Sequence, residues 1–367
     1  MDSANYGHHR TYYGLAGNES SERIDKLAQN MKQMISPFWE LMKRDKLRLL
    51  LRFSATVNKF YEVVYIATLF KEELAQFLEI PRSIEEVSQF LGVSEKDAIK
   101  SWLQLGVSLG LLKKQRHRYY ISNVVRRLLE DDKDDIRAIL EEVATLHHKL
   151  ISQTLSVLKE GKLWTLDDQE GKLIARSSRI VEPFIKNVIR KLFPTEGKVR
   201  LLEVGCGSGI YIKHAVEHNP QLEAVGVELQ PEVARLASDN LRRWGIAKNA
   251  QIIVGDIREM ELKNTFDIIT LFNNIYYFPV DEREGLLRKL VSLLNKEGKL
   301  VITTVCQGGQ PISQMLDLWA SSTQGCGRLP YRSELVRLLK KVALTQVQVR
   351  KLIPRNSFYV FWGRKRS

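Results

Sequence analysis

Apolar positions along the chain change their spacing twice, and each change predicts a different kind of element. From Ser21 to Leu78 they recur at helical intervals (Ile24, Leu27, Met31, Met34, then Leu47, Leu50, Leu51 and Phe53), which predicts two or three helices broken at Pro37. Residues 81–93 read as a helix stopped by Gly92. Ser94, with Asp97 three residues on, then gives a capping-box-like start to a second helix over 98–109 that ends at Gly110. Leu111–Lys114 and Tyr119–Ser122 form a hairpin with a basic tip, so helix, turn, helix and wing follow in order. From about 123 to 196 the spacing is helical again. One strong helix covers Glu141–Leu155, and another covers Ala175–Ile189, bent or begun at Pro183.

Beyond residue 197 short apolar runs take over. Val199–Val204, Ala224–Glu228, Gln251–Gly255, Phe266–Phe272 and Lys299–Thr304 predict buried strands that alternate with helical segments such as 211–218 and 281–294. Cys306–Tyr331 has no clear period and follows the carboxyl end of a strand, the natural place for a substrate loop. A helix over 333–341 precedes an alternating pair, Thr345–Arg350 and Ser357–Gly363, that predicts a closing antiparallel hairpin.

The most informative junction is Val199–Ile210, where a strand ends in glycines at 205, 207 and 209 and a helix begins. Such a turn lets a ligand approach backbone at a helix N-terminus. The dinucleotide fingerprint would need glycine at 210, which is Ile210, and Glu203 stands just before the turn. The string E-x-G-x-G-x-G resembles the first motif of class I S-adenosylmethionine (SAM)-dependent methyltransferases. Glu228 closes the second strand, where a carboxylate accepts hydrogen bonds from ribose hydroxyls. Asp256 and Ile257 follow the third. The resemblance implies an α/β fold: a Rossmann-like sheet of seven strands ending in an antiparallel hairpin, with an all-α winged-helix domain before it. It implies SAM as cofactor, held by Glu203, Gly205, Gly207, Gly209, Glu228, Leu229, Asp256, Ile257 and Asn273, with Asp256 on the adenine amino group and Ile257 on the ring. The winged-helix stretch resembles the N-terminal dimerisation domain of small-molecule O-methyltransferases. The organisation expected is a flexible arm (1–20), in which Tyr6, His8, His9, Tyr12 and Tyr13 could fold over a ligand, then a dimerisation domain (21–135), linking helices that roof the active site (136–196) and the SAM-binding domain (197–367).

Composition narrows this picture only slightly. The net charge of +13 comes from Lys and Arg spread widely, with short clusters at 113–118 and 364–366, too short to argue for nucleic acid. No run of about 18 apolar residues predicts a membrane span, and the first ten residues lack the apolar core of a secretory signal. Three cysteines form neither a disulfide framework nor a metal pattern, so the expectation is a cytoplasmic, reduced chain with no metal; the resembled dimerisation domain implies a homodimer.

Methyl transfer needs orientation, and for a hydroxyl acceptor it also needs somewhere for a proton to go. The last of the seven histidines is His218, so none follows the fourth or fifth strand, where the resembled enzymes usually place a base. His214 and His218 lie on the helix after the glycine turn and are expected to face solvent. The candidates near the chemistry are therefore His147, His148, Tyr276 and Tyr277. Arg176, Arg179, Asn274 and Trp319 are candidates for substrate, with the arginines suited to a carboxylate-bearing molecule. O-methylation of a small molecule is the reading the resemblance implies. Three others stay open: S-methylation of a methylthio-hydroxy acid, as in dimethylsulfoniopropionate synthesis; an RNA methyltransferase; and a SAM-responsive DNA-binding regulator.

Overall fold

The computed structural model describes residues 16–366 apart from 44, 169 and 264. The arm residues Tyr6, His8, His9, Tyr12 and Tyr13 lie outside the described residues. Contacts divide the chain into two units, Met1–Glu62 and Val63–Ser367.

The first unit comprises α1 (Ala16–Lys43) and most of α2 (Lys46–Lys71). The break expected at Pro37 does not occur: α1 runs through it. A proline removes one N–H donor and crowds the carbonyl four residues back, and a helix of 28 residues tolerates that loss. The chain turns after Lys43 instead, where Asp45 adopts a left-handed φ of 55° and its N–H bonds to the Met42 carbonyl. The apolar stripe of α1 is open to solvent. Met34 is 74% exposed, and Met31, Phe38 and Trp39 are exposed beside it.

The second unit opens with the end of α2, then α3 (Leu74–Phe77), α4 (Ile84–Leu91), α5 (Lys96–Ser108), the hairpin β1 (Leu112–Gln115) and β2 (Arg118–Ile121), and α6 (Asn123–Leu128). These elements close around Tyr65, Leu69, Val87, Leu103 and Tyr119. Trp102 of α5 stacks on Tyr65, a packing role and not an outward-reading one. The capping box lies one helix earlier than the sequence suggested. Ser83 Oγ accepts the Glu86 N–H, while Glu86 accepts the Ser83 N–H, and α4 begins there, not at residue 81. At α5 the cap is Glu95, and the Ser94 hydroxyl bonds to that carboxylate.

Four helical pieces follow: α7 (Asp134–Glu142), α8 (His148–Lys159), α9 (Gly171–Ser177) and α10 (Glu182–Leu192). The expected helix over 141–155 is interrupted by a π turn, Val143–His147, joining α7 to α8. The expected helix over 175–189 is split by a 3-10 turn, Ser178–Val181, and Pro183 sits in the first turn of α10, where its missing donor is harmless.

The sheet holds β3 (Val199–Val204), β4 (Leu222–Glu228), β5 (Ala250–Val254), β6 (Phe266–Phe272), β7 (Leu294–Val305), β8 (Leu344–Lys351) and β9 (Phe358–Lys365), in the order β5-β4-β3-β6-β7-β9-β8. All pairs are parallel except β7–β9 and β9–β8, so the C-terminal antiparallel pair is present. Helices α11 (Ile210–His218), α12 (Pro231–Arg243), α13 (Arg283–Ser292), α14 (Pro311–Ser322) and α15 (Arg332–Lys341) complete this region. The expected loop over 306–331 thus contains α14, begun at Pro311 in a position that suits proline. Strand β6 shows why the runs read as continuous apolar stretches. Ile269 and Leu271 enter a core with α13 and α15, while Ile268 and Phe272 enter one with α10 and α11, so both faces are covered. The strand order reverses between β3 and β6, which opens a crevice at their carboxyl ends. No helix among the described residues is long and apolar enough to cross a membrane.

Candidate functional site

The glycine turn at the end of β3 takes its shape from its own backbone. Gly205, Gly207 and Gly209 all have positive φ (63°, 53° and 78°), a region that only glycine occupies at no steric cost. Gly205 and Cys206 donate to the Val227 carbonyl of β4, and Gly209 donates to Cys206. A Cβ on Gly205 would meet the Asn274 amide nitrogen at 2.6 Å, whereas one on Gly207 would enter open space. Glycine at 207 therefore keeps the cleft clear, and glycine at 205 admits a neighbouring side chain.

Carboxylates at the ends of successive strands surround this turn. Glu228 is fixed at both oxygens: Oε2 accepts the Gly207 N–H at 3.0 Å and Oε1 the Gln230 N–H at 3.1 Å. Glu203 is different. It is 1% exposed, and neither carboxyl oxygen has a partner within the chain. Burial, then the nearby Glu228 charge, pushes its pKa well above the usual carboxylate range. An orphaned acid at the foot of a cleft is costly alone and suits a cationic ligand. Asp256 is held below its ordinary value by hydrogen bonds from the Arg258 guanidinium.

Beyond β6, Asn273 adopts φ 58°; its N–H donates to the Thr303 carbonyl, and its Oδ1 accepts the Thr303 hydroxyl at 3.3 Å. The Asn274 amide donates to the Val204 carbonyl, tying β6 to β3, and its buried Oδ1 has no partner in the chain. Tyr276 is buried, and that burial raises its phenol pKa, which keeps the proton on oxygen. Trp319 packs edge-on against Tyr276 and Tyr277, with ring centres 6.1 and 5.3 Å away.

A cavity of about 250 Å³ joins these groups. Its walls include Gly205, Gly207, Glu228, Leu229, Asp256, Ile257, Asn273, Asn274, Tyr276, Tyr277 and Arg179. Glu203 and Gly209 lie behind the wall as parts of its frame, and Trp319 backs the two tyrosines. Three further sequence candidates, Arg176, His147 and His148, are also not among the lining residues. Arg176 is committed to Asp134 (2.7 Å) and Glu141 (3.2 Å), joining α9 to α7. His147 is paired with Glu142 at 3.1 Å. In a π turn residues five apart stack one above the other, so the turn itself brings that pair together. His148, next along the helix, also stands outside the wall. The expectation that His214 faces solvent is corrected: it is buried, 2.7 Å from Glu182 and 3.2 Å from Glu217, because α10 packs over α11. His218 is half-buried, its Nε2 3.2 Å from the Phe193 carbonyl.

Sequence reasoning missed several wall residues. Tyr211 in the first turn of α11, Phe278 and Arg258 all line the cavity, as do Ile174 and Ser178 from the roof. Tyr211 and Arg258 immediately follow motif residues, a positional signal that could have found them. The roof residues come from a segment with no motif.

Residues 201–298 match the family described as "Methyltransferase domain". Over 160 residues the chain is 24% identical to malonyl-[acyl-carrier protein] O-methyltransferase 1 of Ilyobacter polytropus, covering 44% of this chain and 56% of that one. Over 185 residues it is 25% identical to demethylspheroidene O-methyltransferase of Rhodobacter capsulatus, covering 50% and 44%. The chain thus spans about half the length of these curated relatives. Among solved structures, mitomycin 7-O-methyltransferase superposes with a TM-score of 0.73 at 16% identity, over 88% of this chain and 99% of that one. Human N-acetylserotonin methyltransferase in complex with SAM gives 0.67 at 15% identity, over 88% and 99%. The fold is that of the class I SAM-dependent methyltransferases, helical N-terminal region included.

Proposed function

We propose that the protein transfers a methyl group from SAM to an oxygen of a small-molecule acceptor. The observation that carries this reading is the cleft itself: a glycine turn held open at 207, an orphaned buried acid at Glu203 and a fixed carboxylate at Glu228, all at the switch point of the sheet. These residues fit the cofactor. Gly205 and Gly207 would face the cationic methionine end, with Glu203 supplying negative charge from behind them, while Glu228 and Leu229 would take the ribose. Ile257 and Asp256 would border the base, and Asn273 the methionine side.

SAM, when bound, supplies a methyl group on a sulfonium that the acceptor displaces in line. The contribution of this chain is to orient the acceptor and exclude water. Tyr276 keeps its proton and can donate a hydrogen bond to the acceptor oxygen; Tyr277 and Asn274 shape the same wall, with Trp319 behind them. None of the described histidines lines the cavity, so we assign no histidine base. An acceptor that ionises unaided near neutral pH, such as an acidic phenol, an enol or a carboxylate, suits this wall. Arg179 lines the cavity and is half-exposed, its guanidinium 3.5 Å from Glu182, and would be the partner for an anionic group by exchanging that contact. We further propose that the protein acts in the cytoplasm as a homodimer paired through its N-terminal helices, with neither nucleic acid nor membrane as partner. The open apolar stripe of α1 supports the pairing.

Calorimetric titration with SAM tests the cofactor reading. We expect binding by the wild type and at least tenfold weaker binding by Glu228→Ala. No heat of binding from folded wild-type protein would sink the proposal.

A further inference from the structure

Asp256 stands where the resemblance puts the acid that reads an adenine amino group, yet its oxygens are already engaged. Oδ1 accepts the Arg258 backbone N–H at 2.8 Å and the guanidinium Nε–H at 3.0 Å. Oδ2 accepts Nη2 at 2.6 Å and shares Nε at 3.0 Å. On its other side the guanidinium donates from Nη1 to Glu282 Oε2 at 2.6 Å. The planar group is therefore clamped between two carboxylates, one after β5 and one at the start of α13, and its carbon lies 5.6 Å from the centre of the Phe278 ring. The Arg258 carbonyl accepts from Lys289 Nζ at 2.8 Å, so the backbone is held as well.

An ionised carboxylate has about four lone-pair sites; three N–H donors of Arg258, with Nε–H shared between the two oxygens, engage both of them here. Forked guanidinium–carboxylate pairs are among the stronger hydrogen-bonded contacts in proteins, so an incoming amino group would have to compete with a better donor. Arg258 and Phe278 both line the cavity, with Leu229 and Ile257. Aromatic faces and guanidinium planes hold a flat ring by stacking and cation–π attraction, neither of which reads its edge.

We infer that Arg258 determines how the base of the cofactor is recognised: by occupying Asp256 it leaves the ring to be held by its faces, with the amino group hardly discriminated. The inference rests on the reading of the cleft as a SAM site. Arg258 is a specificity residue, and Asp256 serves to fix it.

The test is calorimetric titration of the full chain with two ligands: S-adenosylhomocysteine, and its analogue carrying hydrogen in place of the 6-amino group. The two differ by one amino group. The wild type should bind both within about threefold. Arg258→Met and Arg258→Ala free Asp256, and a hydrogen bond to a free carboxylate corresponds to roughly tenfold or more in affinity, so both variants should prefer the amino compound by that factor. A wild-type preference of tenfold or more overturns the inference even if neither variant folds. An unchanged ratio in the folded variants overturns it too. Failure of the wild type to bind either ligand is a separate outcome, because it removes the cofactor reading on which the inference stands.

Discussion

Glu203 shows at the scale of one residue how function costs stability. With no cation beside it, the buried carboxyl keeps its proton in the folded chain, while the unfolded chain loses that proton near pH 4.3. Unfolding above that pH therefore releases a proton, and ligand-free stability falls as pH rises, until the raised folded pKa is passed. Glu203→Gln removes this slope. We expect the variant to melt higher than wild type at pH 7 without ligand, by on the order of 1–3 kcal/mol, and to bind SAM more weakly. Thermal melts from pH 4.5 to 8 decide the matter; a variant that melts lower, or keeps the wild-type slope, contradicts it. Glu203, Glu228 and Asp256 were legible as candidates because a strand ending in an acid can be read from period and position. The clamp on Asp256 and the burial of His214 were not. Each depends on a partner brought in by folding, Glu282 in one case and Glu182 in the other.

At the scale of elements, the sequence reveals what has a period and hides what has none. All seven strands of the main sheet were legible, five as apolar runs bounded by turns and the last two as an alternating pair. Helix α14 was hidden by the glycines and glutamines around it. The cap of α4 was misplaced because Ser83 and Ser94 both precede an acid at the right spacing, and only the structure shows which hydroxyl meets a backbone N–H. Ser83→Ala should cost about 1 kcal/mol, read as a lower urea midpoint. Glu86→Ala should cost more, because Glu86 also receives Arg118 of the wing at 2.9 Å. Equal midpoints for Ser83→Ala and wild type would remove the cap from the account.

At the scale of the whole molecule, the likeness to solved structures covers most of the chain while identity stays near 16%, so architecture is shared and the acceptor pocket is free to differ. On the proposed reading, the roof residues Ile174 and Ser178 and the wall near Tyr277 would set that pocket, and neither had a motif to read. The pairing proposed for the N-terminal helices belongs to this scale. Sedimentation velocity should give a dimer for the wild type, and Met34→Glu with Trp39→Glu should shift it to monomer, because a charge in each stripe opposes its burial. A wild-type monomer at micromolar concentration would refute the pairing.

The π turn between α7 and α8 bears on ancestry as well as on packing. A π turn is an α-helix carrying one surplus residue, absorbed within a single widened turn so that the helix beyond keeps its facing. Beyond the turn Leu150 and Thr154 are buried, and Trp164 donates to Thr154 at 2.9 Å. A lineage that gained this residue could do so without re-sorting the inner and outer faces of α8. In a comparison with kin that have an uninterrupted helix here, the gap would belong within 143–147, beside the Glu142–His147 pair.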